Sequence, residues 1–121
     1  MTKKKKPMTM RQLQVSETIK RLIAGEVNEY INNNVEGDFI TIMRAIISKD
    51  MRYCKIIYRC KIENRQIFQK LLDNISNHLS NYVYKQLMMR VRPEIHFIFD
   101  DTKKIIEEIE RVVERNKESL D

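Results

Sequence analysis

The sequence predicts an α+β domain in which three β-strands are covered on one face by helices. Apolar residues recur at helical spacing over residues 10–32 and 67–91, and they alternate as in strands over 53–62 and 94–100. With only Gly 2 and Pro 2 in 121 residues, long irregular loops are not expected. A chain of this length is typical of one domain that forms its core without metal or disulfide support.

The first helix is predicted over residues 10–32, after a basic arm at residues 1–8 that we expect to be disordered. Asn32, Asn33 and Asn34 end the helix, and Gly37-Asp38 forms a turn. The apolar positions of the helix are Val15, Ile19, Leu22, Ile23, Val27, Tyr30 and Ile31.

A β-hairpin follows. The first strand runs from Phe39 to about Ile47 and is apolar on both faces at its start, which favours a central or well-covered position. Ser48-Lys49-Asp50 is a tight turn. The second strand alternates and has a basic outer face. Cys54 and Cys60 are six residues apart along it, about 20 Å, so they are predicted to be free thiols.

A second helix begins near Ile67, and Ser80-Asn81 is predicted to divide it into two short helices joined by a kink, because both residues favour caps and turns. Pro93 forbids further helix, and a third strand follows at about 94–100. A C-terminal helix is predicted at about 102–116, with an apolar stripe formed by Ile105, Ile106, Ile109, Val112 and Val113.

The charge distribution favours a polyanionic partner. Residues 1–99 carry 18 Lys+Arg against 9 Asp+Glu, whereas residues 100–121 carry 5 against 8. No phosphate loop, nucleophile motif or metal-ligand set is visible, so neither an enzyme nor a cofactor is expected. His78 and His96 belong to no ligand set or triad, and we interpret them as structural. No apolar run is long enough to span a membrane.

The element order and three motifs resemble the ribosome-binding factor A family over roughly residues 9–115. The motifs are the helix start near Arg11, the turn Ser48-Lys49-Asp50-Met51, and the block Arg90 to Thr102, which contains Arg-Pro-Glu-Ile followed by Phe97 and the Asp100-Asp101-Thr102 end. The resemblance implies a type II KH-like fold, α-β-β-α-kink-α-β with a C-terminal helix, that lacks the Gly-x-x-Gly loop. Leu79-Ser80-Asn81 stands where the family has an Ala-x-Gly kink.

The resemblance also implies a function. It suggests a cytoplasmic, monomeric factor that binds 16S rRNA in free 30S subunits or their precursors. Such a factor assists late processing and folding of that rRNA, including during growth in the cold. Two alternatives stay open: a protein-interaction or dimerisation module, and a nonspecific KH-like binder of single-stranded RNA.

The candidate rRNA-binding residues are mainly cations that can neutralise phosphates. The arm contributes four lysines, and the second strand and the end of the second helix contribute others. The positions around the family's kink are added through the resemblance. Tyr53, Tyr82 and Tyr84 are candidates for stacking on bases, with Tyr84 expected to be the most exposed. The full set is Lys3, Lys4, Lys5, Lys6, Arg11, Lys55, Arg59, Ser80, Asn81, Tyr84, Lys85, Arg90 and Arg92.

Overall fold

The computed structural model describes residues 7–35, 37–101 and 109–112. Within them, two long helices pack on one face of a three-stranded sheet, as the sequence predicts. The helices are α1 (Met10–Val27), extended by a π-helical turn at Asn28–Asn32, and α2 (Arg65–Gln86), preceded by a 3-10 turn at Ile62–Asn64. The strands are β1 (Thr41–Ile47), β2 (Tyr53–Arg59) and β3 (Glu94–Phe99).

Helix α1 begins at a capping box. The Gln12 backbone N–H donates to the Thr9 hydroxyl at 3.1 Å, and the Thr9 N–H donates to the Gln12 side chain at 2.9 Å. At the other end, the Asn32 side chain accepts from the Ile40 N–H at 2.9 Å and donates to the Ile40 carbonyl at 3.1 Å. This paired contact fixes the loop that leads into β1, where Gly37 adopts a φ of 98° that side chains rarely tolerate.

The strand order is β1-β2-β3, with β1 antiparallel and β3 parallel to β2. Of the two positions predicted for β1, the central one is wrong, because β2 is the strand with a neighbour on each side. β1 lies at an edge and is covered on one face by α1. An irregularity between Ile42 and Arg44 shifts its register, which explains why its apolar residues do not alternate strictly.

Helix α2 is continuous over 22 residues, so the predicted division into two helices at Ser80-Asn81 is wrong. Ser80 is 3% exposed, and its hydroxyl donates to the Pro93 carbonyl instead of competing for the helix backbone. The Asn81 side chain accepts from Arg92 at 3.2 Å. Tertiary contacts thus satisfy the two polar side chains, and the helical hydrogen bonds are kept.

Helix α2 also ends earlier than the apolar pattern suggests. The Met88 N–H donates to the Lys85 carbonyl and the Met89 N–H to the Tyr84 carbonyl, while Met88 has a φ of 49°. These contacts form a Schellman motif, in which the left-handed residue is usually glycine. A helix that ends at Gln86 leaves 87–93 as a loop between α2 and β3.

The core lies between the helices and the covered sheet face. It contains Ile19, Ile23 and Val27 from α1, and Phe68, Leu72, Leu79 and Val83 from α2. Cys54, Ile56 and Tyr58 of β2 are fully buried beneath them, as the alternation predicts. Each such side chain stabilises the fold by about 1.5–3 kcal/mol relative to exposure.

Both cysteines are free, which confirms the prediction. Cys54 is buried and Cys60 is half-buried. Burial raises the pKa of the Cys54 thiol to about 12. Two other predictions, the basic arm and most of the C-terminal helix, lie outside the described residues; residues 109–112 are described and helical.

Candidate nucleic-acid interface

The strand register brings three distant segments to one end of the sheet. The Gln12 side chain donates to the carbonyl of Ile47, the last residue of β1, at 3.2 Å, which places the start of α1 there. The Glu94 N–H donates to the Arg52 carbonyl at 2.8 Å, which joins the start of β3 to the hairpin turn. We call this the basic end; it comprises the first turn of α1, the hairpin turn 48–52, the last turn of α2, the loop 87–93 and Glu94 at the start of β3.

The basic end carries six cations and two carboxylates. One carboxylate, Asp50, is held within the turn: the Ser48 hydroxyl donates to it at 2.7 Å, and this hydrogen bond first, then one from the Arg52 N–H, lowers the pKa of Asp50. The other carboxylate is Glu94, at the start of β3. The cations, all exposed, are Arg11, Lys49, Arg52, Lys85, Arg90 and Arg92.

Most of these cations are free to meet phosphates. Arg52 lies 3.9 Å from Asp50, but the other five form no ion pair with any described residue. Arg90 and Arg92 follow the helix end in a loop that the Schellman motif directs outward. An exposed cluster of unpaired cations is the electrostatic signature of polyanion binding.

The opposite end of the sheet, which we call the neutral end, is different. It carries the cations Arg59, Lys61 and Arg65 against the carboxylates Asp38, Glu63, Asp100 and Asp101. Arg59 pairs with Asp100 at 2.8 Å, and Arg65 lies 3.8 Å from Asp101. The predicted rRNA-binding residue Arg59 is thus in an ion pair at the end of the sheet away from the basic end.

The carboxylate of Asp38 also has a structural role at the neutral end. It accepts from the Phe39 N–H at 2.8 Å and from the Lys61 N–H at 3.0 Å. Desolvation opposes its ionisation, but these hydrogen bonds and one from Asn64 lower the pKa of Asp38 overall. The charged residues of the neutral end therefore stabilise the contacts between its loops and the sheet.

A polar groove of about 580 Å³ lies between α2 and β3 and reaches the basic end at Arg92. Ser80 lies on its floor, where the hydroxyl is already donated to Pro93. Asn77 and His96 line its sides, and His96 lies 3.6 Å from Glu94. The groove is less basic than the sheet end, since Asp73 and Glu94 also line it.

The other predicted rRNA-binding residues lie in different parts of the structure. Arg11, Lys85, Arg90 and Arg92 come together at the basic end. Lys55 is exposed on the sheet face that the helices leave open, and Asn81 is exposed beside Arg92. Lys3, Lys4, Lys5 and Lys6 lie outside the described residues.

Two predicted residues have less accessible side chains than expected. Ser80 is buried and its hydroxyl is occupied, so it is better placed to shape the groove than to contact RNA. Tyr84 is half-buried, whereas Tyr53 is 55% exposed. The expectation that Tyr84 is the most exposed of the three tyrosines is therefore wrong. The fully helical α2 turns Tyr84 partly against the protein.

Sequence reasoning missed Lys49 and Arg52 as interface residues. Both residues belong to the hairpin turn, which is recognisable in the sequence. Only the pairing of β2 with β3 shows that this turn adjoins the loop 87–93. It also missed that Met10 and Met88, which are 70% and 89% exposed, share this end. Methionine adapts its shape readily and is common on binding surfaces.

No group of His, Cys, Asp and Glu among the described residues could hold a metal ion. None of the described helices has the length and hydropathy that crossing a bilayer requires. A small α+β domain with five exposed cations at one end, none in an ion pair with a described residue, has the charge distribution typical of polyanion-binding proteins.

Comparison with known proteins identifies the family. The sequence model of ribosome-binding factor A matches residues 11–113, and the chain belongs to this family. Ribosome-binding factor A of Burkholderia cenocepacia is 25% identical over 117 residues, which cover 94% of this chain and 81% of that protein.

Two solved structures share the fold. The crystal structure of ribosome-binding factor A from Thermus thermophilus has a TM-score of 0.62 at 17% identity, and the match covers 72% of this chain and 93% of that one. A Thermus thermophilus homology model fitted into a cryo-EM map of a 30S–RbfA complex has a TM-score of 0.56 at 17% identity. That match covers 71% of this chain and 91% of the other.

Proposed function

We propose that this protein binds immature 30S subunits through contacts of its basic end with 16S rRNA, and that it assists late maturation of the small subunit. Family membership and the Thermus thermophilus protein in a 30S complex support this function. The observation that carries the proposed surface is the gathering of Arg11, Lys49, Lys85, Arg90 and Arg92 at one end of the sheet. These five cations come from three segments that are far apart in the sequence: the start of α1, the hairpin turn, and the end of α2 with the loop that follows it.

The mechanism is differential binding. Lysine and arginine side chains neutralise phosphates and release counterions, which supplies affinity without reading sequence. Because the fold holds the segments that carry these cations around one end of the sheet, the cations favour rRNA conformations whose phosphates match their arrangement. Binding then shifts the rRNA population toward those conformations. The step needs no bond making, so it requires neither enzymatic activity nor a cofactor. We place this binding in the cytoplasm.

The groove between α2 and β3 extends the surface away from the basic end. Its lining side chains are hydrogen-bond donors and acceptors instead of a uniform row of cations, which suits the bases of an unpaired RNA segment. Arg92 stands at the junction, where it can bridge a phosphate at the basic end and a nucleotide in the groove. The lysine arm, residues 3–6, precedes Arg11 in the sequence, and we propose that it adds further phosphate contacts.

Sedimentation of a cell extract tests the proposed function. The protein should travel with free small subunits and their precursors, and it should be absent from translating ribosomes. A distribution that follows bulk RNA throughout the gradient would instead favour a nonspecific RNA binder. Protein that stays at the top of the gradient at low ionic strength, alone or as a dimer, would contradict the proposal.

The arm has its own test. Deleting residues 2–6 should weaken binding to purified small subunits and flatten its dependence on salt, because four potential phosphate contacts are lost. Replacing the four lysines by glutamines keeps the length of the arm and should have the same effect. An unchanged salt dependence in both variants would show that the arm makes no contact.

A further inference from the structure

The sheet face opposite the helices has an apolar centre that no described element covers. Ile57 of β2 pairs directly with Ile98 of β3 and, on its other side, with Arg44 of β1; Ile46 of β1 lies two residues further along, opposite Lys55. Ile98 is 40% exposed, and Ile46 and Ile57 are only partly buried. Arg44 and Lys55 flank this row, and neither pairs with a carboxylate of the described chain. We call the row and its flanking cations the open face.

A second uncovered apolar surface lies in the same chain. Residues 109–112 are helical, and Ile109 and Val112 are 57% and 56% exposed. They belong to the apolar stripe that the sequence predicts for 102–116. The chain therefore has an apolar sheet face and an apolar helical stripe, both exposed, and the segment that holds the stripe follows β3 directly.

We propose that the C-terminal segment, residues 102–121, docks on the open face of its own sheet. The segment starts just after β3, whose Ile98 belongs to that face, so the tether keeps its local concentration high. The lengths also match: a strand of six residues spans about 20 Å, and fifteen helical residues rise about 22 Å. One helix can therefore run back along the whole length of the face.

The charges favour the same arrangement. Residues 107–114 contain four glutamates and a single arginine. On the open face, Arg44 is the cross-strand partner of Ile57, and Lys55 is the cross-strand partner of Ile46. A helix seated with Ile109 and Val112 on the isoleucine row can place carboxylates next to both cations. This contact does not depend on the proposed function, since it is a property of the free protein.

The test is methyl NMR of the full-length protein with labelled isoleucine δ1-methyl groups. Docking predicts nuclear Overhauser effects between the Ile109 methyl and those of Ile57 or Ile98, with intensities that do not change on dilution. Their absence would overturn the proposal. In a mixture of labelled and unlabelled protein, contacts that arise only between two copies would show a dimer, which would overturn it as well.

Two neighbouring substitutions give a matched pair. Val112→Asn lies on the stripe and should shift the Ile57 and Ile98 methyl resonances toward those of a chain ending at residue 101. Arg111→Asn changes the adjacent exposed position off the stripe and should leave these resonances in place. Equal effects of the two variants, or none at Ile57 and Ile98, would refute docking.

Discussion

Removing two cations from the basic end should weaken rRNA binding by an amount that the structure allows us to estimate. Arg90 and Arg92 are exposed and form no ion pair with any described residue. If each contacts one phosphate, Arg90→Gln/Arg92→Gln should reduce the slope of log K against log salt by about 1.4 to 1.8. If the wild type and the variant bind with equal affinity near 1 M salt, this change in slope corresponds to a roughly 25- to 60-fold lower affinity of the variant near 0.1 M.

The assay is equilibrium binding to purified small subunits across a salt series. Arg21→Gln/Arg65→Gln removes the same charge from exposed arginines outside the basic end, and it should leave both slope and affinity near those of the wild type. Thermal unfolding of each variant checks that the fold is intact. If the two double variants lose equal affinity, total charge governs binding and the localisation to the basic end is wrong.

Three further predictions concern the fold that holds this surface. Ser80→Ala leaves the buried carbonyl of Pro93 without its donor, and urea unfolding should show a loss of about 1–3 kcal/mol; a loss near zero would contradict the tertiary role of Ser80. Met88→Gly should gain about 0.5–1 kcal/mol in the same assay, because it relieves the left-handed strain, whereas Met88→Ala should not. Burial, the leading cause, raises the pKa of Tyr58 to about 12, so folding stability should fall as pH rises from 10.0 toward that value. Phenolate absorbance should then show that Tyr58 ionises late, and Tyr58→Phe should remove this part of the pH dependence.

The order of helices and strands could be predicted from the sequence because the buried residues recur at helical or strand spacing. The stripe of α1 and the alternation of β2 identify most buried positions from Ile19 to Tyr58, although Tyr30 of the predicted stripe is 51% exposed. The predictions failed where a tertiary contact overrides local preference. Ser80 looks like a helix breaker in the sequence, yet its contact with Pro93 holds it inside a continuous helix.

The interface was less accessible to sequence reasoning. Cations at positions 11, 49, 85, 90 and 92 form one cluster only after the register of three strands is known. Likewise, Arg59 looks identical to a free arginine in the sequence, and only its distance of 2.8 Å to Asp100 shows that it is paired. A residue's charge can be read from the sequence, but its partner cannot.

Directed hydroxyl-radical probing tests the central claim most directly. Met88→Cys at the basic end and Glu63→Cys at the neutral end each receive a tethered iron chelate in a Cys60→Ser background, where the remaining Cys54 is fully buried. Bound to small subunits, the protein labelled at position 88 should cleave 16S rRNA at a few localised sites, and the protein labelled at position 63 should cleave weakly. Strong cleavage from position 63 with none from position 88 would place the rRNA against the neutral end of the sheet and would contradict the account.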